Sequence, residues 1–258
     1  MKILFNKYEG AGNDFIIVSN TPPVIEHSDN LLIKHLCDRR FGIGADGLIL
    51  IEKHEGYDFE MVFFNSDGSP GKMCGNGGRC SAHYAMRHFT EKQNLRFLAG
   101  DGDHVARISG DLIELSINDV HDILKTRDGI VVNTGVPHLV VFRDDIDKID
   151  LTAFARPLRY SPLYAPEGVN VNLVQVEGDR LRVRTYERGV EDETMACGTG
   201  VTASAIAAAL SGKIVTDHAE IKANGGTLHV SFKIKNDTVT EIFLTGPATF
   251  VFSGETEI

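Results

Sequence analysis

The sequence predicts an α/β protein of the α+β type, with two pseudosymmetric domains that arise from an internal duplication, each a mixed β-sheet wrapped around a central helix. Three observations predict it. Gly12 and Gly135, Cys74 and Cys197, and Gly102 and Gly225 are each separated by 123 residues, so three landmarks share one gap-free offset. Apolar strand patterns and tight turns recur around them in the same order in both halves. Thr202 to Leu210 is small and apolar on most sides, which suits a helix enclosed by sheet, with Gly212 as its stop.

In chain order, Ile3 to Lys7, the turn around Gly10 to Gly12 and Ile16 to Val18 read as strand, turn, strand. Asn30 to Arg40 has helical spacing through Leu31, Leu32, His35 and Leu36. A glycine loop from Phe41 to Gly47 feeds the strand Leu48 to Ile51, and Tyr57 to Phe64 alternates like a strand. That strand delivers the chain to a glycine-dense turn carrying Cys74 and then to a helix over Cys80 to Phe89. Leu95 to Leu98, the turn Gly100-Asp101-Gly102 and two short strands complete the first half. The second half repeats the order: Val131 to Gly135, the strand Leu139 to Phe142, strands Val171 to Val176 and Leu181 to Tyr186, then the Cys197 motif and a helix over Val201 to Leu210.

With 258 residues the chain can bury a sizeable core. Its formal net charge of -10, from 36 acidic and 26 basic residues, and the lack of a Lys/Arg cluster argue against a nucleic-acid partner. The amino terminus turns polar after three apolar residues and the longest apolar run is short, so a membrane span is not expected and a cytoplasmic location is. Four cysteines at Cys37, Cys74, Cys80 and Cys197 match neither a disulfide framework nor a zinc pattern, so no metal is expected. Cys37 and Cys80 sit in apolar helical segments and read as small buried hydrophobes. Cys74 and Cys197 sit in glycine turns, each followed by Gly, a polar residue and Gly.

A thiol at the start of a helix lies at the positive end of the dipole, a placement that favours thiolate. The duplication predicts equivalent loops facing one cleft from opposite sides, with one thiol on each. A carboxylate held by helix-terminal amides, with a base and an acid on the two faces of the adjoining carbon, inverts a stereocentre by removing and returning its proton. No Schiff-base lysine motif or metal cluster is apparent, and Gly42 to Gly47 is only a weak match to a dinucleotide loop, so no cofactor is expected.

The motifs Gly-Ala-Gly-Asn-Asp-Phe, Asn-Ser-Asp-Gly, Met-Cys-Gly-Asn-Gly-Gly-Arg-Cys, Pro-His, Gly-Val-Asn-Val-Asn, Tyr-Glu-Arg-Gly, Glu-Thr-Met-Ala-Cys-Gly-Thr-Gly and Gly-Pro-Ala-Thr-Phe-Val-Phe-Ser-Gly-Glu together resemble the diaminopimelate epimerase family, over Lys7 to Glu255. The resemblance implies a pyridoxal-phosphate-independent isomerase that interconverts L,L- and meso-diaminopimelate with two cysteine bases, in lysine and peptidoglycan precursor biosynthesis. It also implies a homodimer and a last strand returning to the first domain, which divides the chain into 1–118 plus 248–258, carrying Cys74, and 119–247, carrying Cys197. Residue by residue it makes Cys74 and Cys197 the catalytic pair and Gly75, Asn76, Gly198 and Thr199 the amides for the reacting carboxylate. Asn13, Asn65, Asn170, Glu187 and Arg188 would line the pocket, with Arg188 on the distal carboxylate and His138 and Glu187 near the reacting amino group.

Two positions depart from the family pattern: Gly47 stands where most members have Gln, and Val136 where they have Asn, so some substrate hydrogen bonds must be absent, made by water or supplied from elsewhere. Taken singly, Asn13, Asn65 and Asn170 read as turn formers, His138 as a loop histidine, Arg79 as structural and Glu191-Asp192-Glu193 as a solvated face or a complement to the following helix start. A proline or hydroxyproline racemase of the same fold is the nearest rival. A dithiol redox protein would not need the Asn, Glu and Arg set, and an amino-acid-binding module would not need two equivalent thiols.

Overall fold

The computed structural model describes residues 2–236 and 238–257. The chain forms two compact units, Met1–Leu115 with Gly246–Ile258, and Ser116–Thr245.

In the first unit the terminal strand Thr249–Glu257 pairs antiparallel with Lys2–Gly10, which pairs antiparallel with Asn13–Ser19. Next come Gly47–Glu52, parallel, and Phe59–Asn65, antiparallel. Asn94–Ala99 joins parallel, followed by the antiparallel strands Gly102–Ser109 and Leu112–Ile117. A parallel connection needs a crossover. Here the crossovers carry α1 (Asn30–Cys37) and α2 (Gly75–His88).

The second unit follows the same order. Ile130–Asn133 and Pro137–Phe142 pair antiparallel, Asn170–Glu177 adds parallel and Arg180–Glu187 antiparallel. His218–Ala223 joins parallel, and Gly226–Lys235 and Thr238–Pro247 continue antiparallel. Its crossovers carry α3 (Leu151–Arg159) and α4 (Gly198–Leu210). The sequence patterns did not reveal α3, whose interior holds Pro157, but its Asp150 caps it by accepting from the Ala153 N–H at 3.0 Å. The repeat itself implies a helix there, because α3 occupies the crossover that α1 fills in the first unit.

Each sheet wraps its central helix as expected. Strands from both sides of the first sheet touch α2, and Cys80, Ala82 and Ala85 share a core with Tyr8, Phe15, Ile49, Met61, Phe97 and Leu115. Six strands of the second unit touch α4, which is buried from Gly200 through Ala208. Small residues on every side let the sheet approach the helix all round. No helix is long and apolar enough to cross a membrane among the described residues.

Three expectations shift. α2 begins at Gly75 and α4 at Gly198, so the glycine turns are first helical turns. α1 ends at Cys37, short of Arg40, where Asp38 turns extended and uses its carboxylate on the Arg40 and Phe41 N–H groups. The offset is also not uniform. It holds from Gly12 to Gly135, both at positive φ, and from Cys74 to Cys197. After the helices it slips by one residue: Ala99 pairs with Gly102 in one hairpin and Ala223 with Gly226 in the other, so Gly226, not Gly225, is the counterpart of Gly102.

Candidate active site

Each of the two enclosed helices starts on a cysteine. Cys74 and Cys197 occupy the N-cap positions of α2 and α4 in extended conformation, and neither sulfur makes a side-chain cap. At α1 and α3 the same position is an aspartate that does cap. The first turn of any helix has N–H groups with no acceptor in the helix. At α2 these begin with Gly75 and Asn76, before Gly78 N–H reaches the Cys74 carbonyl at 2.7 Å; at α4 they begin with Gly198 and Thr199, before Val201 N–H reaches the Cys197 carbonyl at 2.9 Å.

Around Cys74 the polar groups are aligned by charges. Asp46 accepts from Asn13 Nδ2 at 2.6 Å, which turns Asn13 Oδ1 towards Cys74 Sγ at 3.6 Å and Asn76 Nδ2 at 3.4 Å. Asp46 is paired with Arg39, whose guanidinium also grips Asp14 through both Nη atoms. Lys7, buried, pairs with Asp14 at 2.7 Å and donates to the Gly44 carbonyl. Burial opposes ionisation of Asp14, but the hydrogen bonds and charges of Arg39 and Lys7 outweigh it and hold its carboxyl well below the usual range. Arg79 is structural, as expected. Fully buried under the helix start, it donates to Asn76 Oδ1 at 2.9 Å and to the Gly75 and Pro247 carbonyls. Burial lowers its pKa, against the opposing influence of Cys80, Cys74 and Glu9.

Asn65 ends its strand, exposed, and spends its side chain on Ser69 Oγ at 3.1 Å, the turn chemistry read from the sequence. Across the sheet it faces Gly47.

Around Cys197 the set is more enclosed. Cys197 is 7% exposed, and Thr199 Oγ1 lies 3.4 Å from its sulfur. Thr199 Oγ1 is 2.9 Å from His138 Nε2, and His138 Nδ1 is 3.1 Å from Asn172 Nδ2. Asn170 stands beside this group, with its Oδ1 accepting from the Arg188 N–H at 2.7 Å. The Arg188 guanidinium points to Glu167, donating to its carbonyl at 3.3 Å. Glu187 ends the strand Arg180–Glu187, half-buried. His138 is fully buried, not a loop histidine, and burial pushes its pKa down to about 3, with the Arg188 charge acting the same way.

Thus Asn13, Cys74, Gly75 and Asn76 come together in one unit, and His138, Asn170, Cys197, Gly198 and Thr199 in the other. Sequence reading missed Asp46 and Asn172. Asn172 had a signal: Asn170 and Asn172 alternate with valines in one strand, so both face the same side of the sheet. The solvated-face reading of residues 191–193 holds for exposed Asp192 but not for its two neighbours. Glu191 accepts from Arg159 and Tyr160, and Glu193 from Arg184 and Asn224, which fastens the approach to Cys197. Cys37 and Cys80 are buried thiols, with burial pushing Cys37 up to about 12 and Cys80 up as well.

Residues 5–116 and 130–251 match the family model described as diaminopimelate epimerase. The chain belongs to the diaminopimelate epimerase family. A diaminopimelate epimerase of Flavobacterium psychrophilum is 46% identical over 248 residues, covering 95% of this chain and 97% of that one. One from Methanocella arvoryzae is 40% identical and covers 100% of this chain and 98% of its own. Among solved structures, a PhzF-family phenazine biosynthesis protein of Bacillus anthracis aligns over the whole of both chains with a TM-score of 0.79 at 15% identity. A hydroxyproline epimerase from Agrobacterium vitis, with bound trans-4-hydroxy-L-proline, aligns over 98% of this chain and 92% of its own with a TM-score of 0.69 at 16% identity. These two likenesses speak for the fold. The two cysteine motifs that carry the resemblance fall at the starts of α2 and α4.

Proposed function

We propose that the protein is a cofactor-independent diaminopimelate epimerase, in which Cys74 and Cys197 exchange the α-proton of one substrate carbon. The observation that carries this reading is the pair of uncapped cysteine N-caps on the two enclosed helices, in a chain of this family. One cysteine as thiolate removes the proton, and the other, as thiol, returns one to the opposite face. The charge that builds up on the carboxylate during transfer is held by the amides of Gly75, Asn76, Gly198 and Thr199, each donor worth about 3 to 4 kcal/mol.

Asn13, Asn65, Asn170, Glu187 and His138 hold the substrate, and Arg188 takes the distal carboxylate through its guanidinium fork. That second charged end favours diaminopimelate over proline, the substrate class of the rival reading. The proposal includes a cytoplasmic homodimer, which rests on the family alone and is tested by light scattering of the purified protein.

The deciding assay incubates the protein with L,L-diaminopimelate in D2O, with no pyridoxal phosphate or metal added. Exchange of the α-hydrogen with formation of the meso isomer is the expected result. Turnover of proline instead, or a requirement for pyridoxal phosphate, would overturn the proposal.

A further inference from the structure

The polar groups behind Cys197 form one chain whose direction can be read from groups with no choice of role. The Leu139 carbonyl can only accept, and it lies 3.4 Å from Asn172 Nδ2; Thr185 Oγ1 donates to Asn172 Oδ1 at 2.8 Å. The Asn172 amide is therefore placed with its NH2 towards His138 Nδ1, at 3.1 Å. An amide NH2 only donates, so Nδ1 carries the lone pair and the proton of the neutral ring sits on Nε2. Nε2–H then donates to Thr199 Oγ1 at 2.9 Å, and the Thr199 hydroxyl keeps its own proton for Cys197 Sγ, at 3.4 Å. Asn170 Nδ2 also lies 3.4 Å from Nε2, farther than Asn172 Nδ2 is from Nδ1, so the nearer amide takes the one ring lone pair and Asn170 faces a ring N–H.

Resting on the reading of Cys197 as an acid–base residue, we infer that Asn172 is a positioning residue for that thiol: it sets the His138 tautomer so that the Thr199 hydroxyl aims its proton at the sulfur and favours the thiolate. Asn172 is fully buried and Thr185 nearly so. The start of α4 is seated directly on this pair, since a Cβ at Gly200 would lie 2.5 Å from Asn172 Oδ1 and 3.2 Å from Thr185 Oγ1. Glycine is thus needed at Gly200 for the chain to reach the helix.

The Arg188 charge acts on His138. α4 carries no ionisable residue, and the strands Ile130–Asn133 and Pro137–Phe142 bring only His138 itself. Asn170–Glu177 adds only Glu177, exposed at its far end. Arg180–Glu187, which supplies Thr185, adds half-buried Glu187 at its end, Tyr186, and three arginines held in ion pairs, Arg180 with Glu220 of the strand His218–Ala223, Arg182 with Asp147 and Arg184 with Glu193 on the approach to Cys197.

The test follows the pH dependence of Cys197 alkylation by iodoacetamide, mapped by mass spectrometry, in full-length protein carrying Cys74→Ala. Asn172→Asp places an acceptor against Nδ1, moves the ring proton there and turns Nε2 into an acceptor, so the Thr199 hydroxyl donates to His138 instead of the sulfur. The alkylation midpoint is expected to rise by about one pH unit. Thr199→Val removes the same hydroxyl and gives a similar rise. The double variant rises no further than Thr199→Val alone, whereas a direct effect of the new carboxylate charge would persist in both backgrounds.

Nitrogen-15 shifts of the His138 ring report the tautomer independently: Nε2–H in the parent and Nδ1–H in Asn172→Asp. An unchanged midpoint in Asn172→Asp, additive shifts in the double variant, or an Nδ1–H tautomer in the parent would overturn the inference. The readout is ionisation of one thiol, so absence of epimerase turnover would count against the proposed function and leave this result standing.

Discussion

A Cβ placed on Gly47 would lie 2.6 Å from Cε2 of Phe63 and 2.7 Å from the Phe64 carbonyl oxygen. The space that a family glutamine would enter is therefore filled by a ring of the adjacent strand, itself packed edge-on against Phe15. The departure at Gly47 is one of packing as much as of lost polarity. The other departure, Val136, sits half-buried in the turn and offers its carbonyl to the Thr134 N–H at 3.3 Å.

Gly47→Gln should destabilise the protein by about 1 to 3 kcal/mol, the usual cost of overpacking. Combining it with Phe63→Ala, which opens the space, should lose less stability than the sum of the two single changes. Urea unfolding measures both. A Gly47→Gln protein as stable as the parent would show that neither the Phe63 ring nor the Phe64 backbone resists the side chain.

Cys74→Ala and Cys197→Ala should each abolish epimerisation while far-ultraviolet circular dichroism stays that of the parent. Both sulfurs lie at helix starts without capping them, so neither helix depends on its cysteine for a cap. Near-parent turnover in either single variant would rule out the two-base scheme.

Asp46→Ala should lower kcat/KM about tenfold, the worth of one hydrogen bond to a charged group. Its carboxylate is what turns Asn13 Oδ1 towards Cys74. The side chain is 42% exposed, so the fold should tolerate its loss. Asp46→Asn can still accept from Asn13 and should recover part of the activity. Equal kinetics for Asp46→Ala and the parent would sink the positioning role.

His138 makes stability depend on pH with a defined sign. Its folded pKa, about 3, lies below the ordinary imidazole value near 6.5, so the unfolded chain binds a proton that the native state excludes. Stability is complete above about pH 6.5 and falls towards pH 3, by about 1.4 kcal/mol per unit from this group alone. Urea titrations between pH 7 and 4 should show a steeper loss in the parent than in His138→Gln. Parallel slopes would mean that the ring is not buried as a neutral base.

Much of this protein was decided by local sequence. Spacing alone exposed the duplication, many of the strands and the two cysteines ahead of helices, because periodicity and glycine turns are properties of short stretches. The same logic placed Cys37, Cys80 and Arg79 as structural residues.

Other features arise only when distant residues meet, and no window of sequence contains both partners. Glu191 and Glu193 look like a solvated run until Arg159 and Arg184 arrive from other elements. Gly47 looks like a vacancy until the strand beyond it brings Phe63. The hydrogen-bond direction from Asn172 through His138 and Thr199 to Cys197 draws on two strands and a helix start. The sequence by itself singled out the groups to which the chemistry is assigned in the proposal; the tertiary structure decided which way their hydrogen bonds run, since direction follows from the acceptor-only and donor-only groups that folding sets around them.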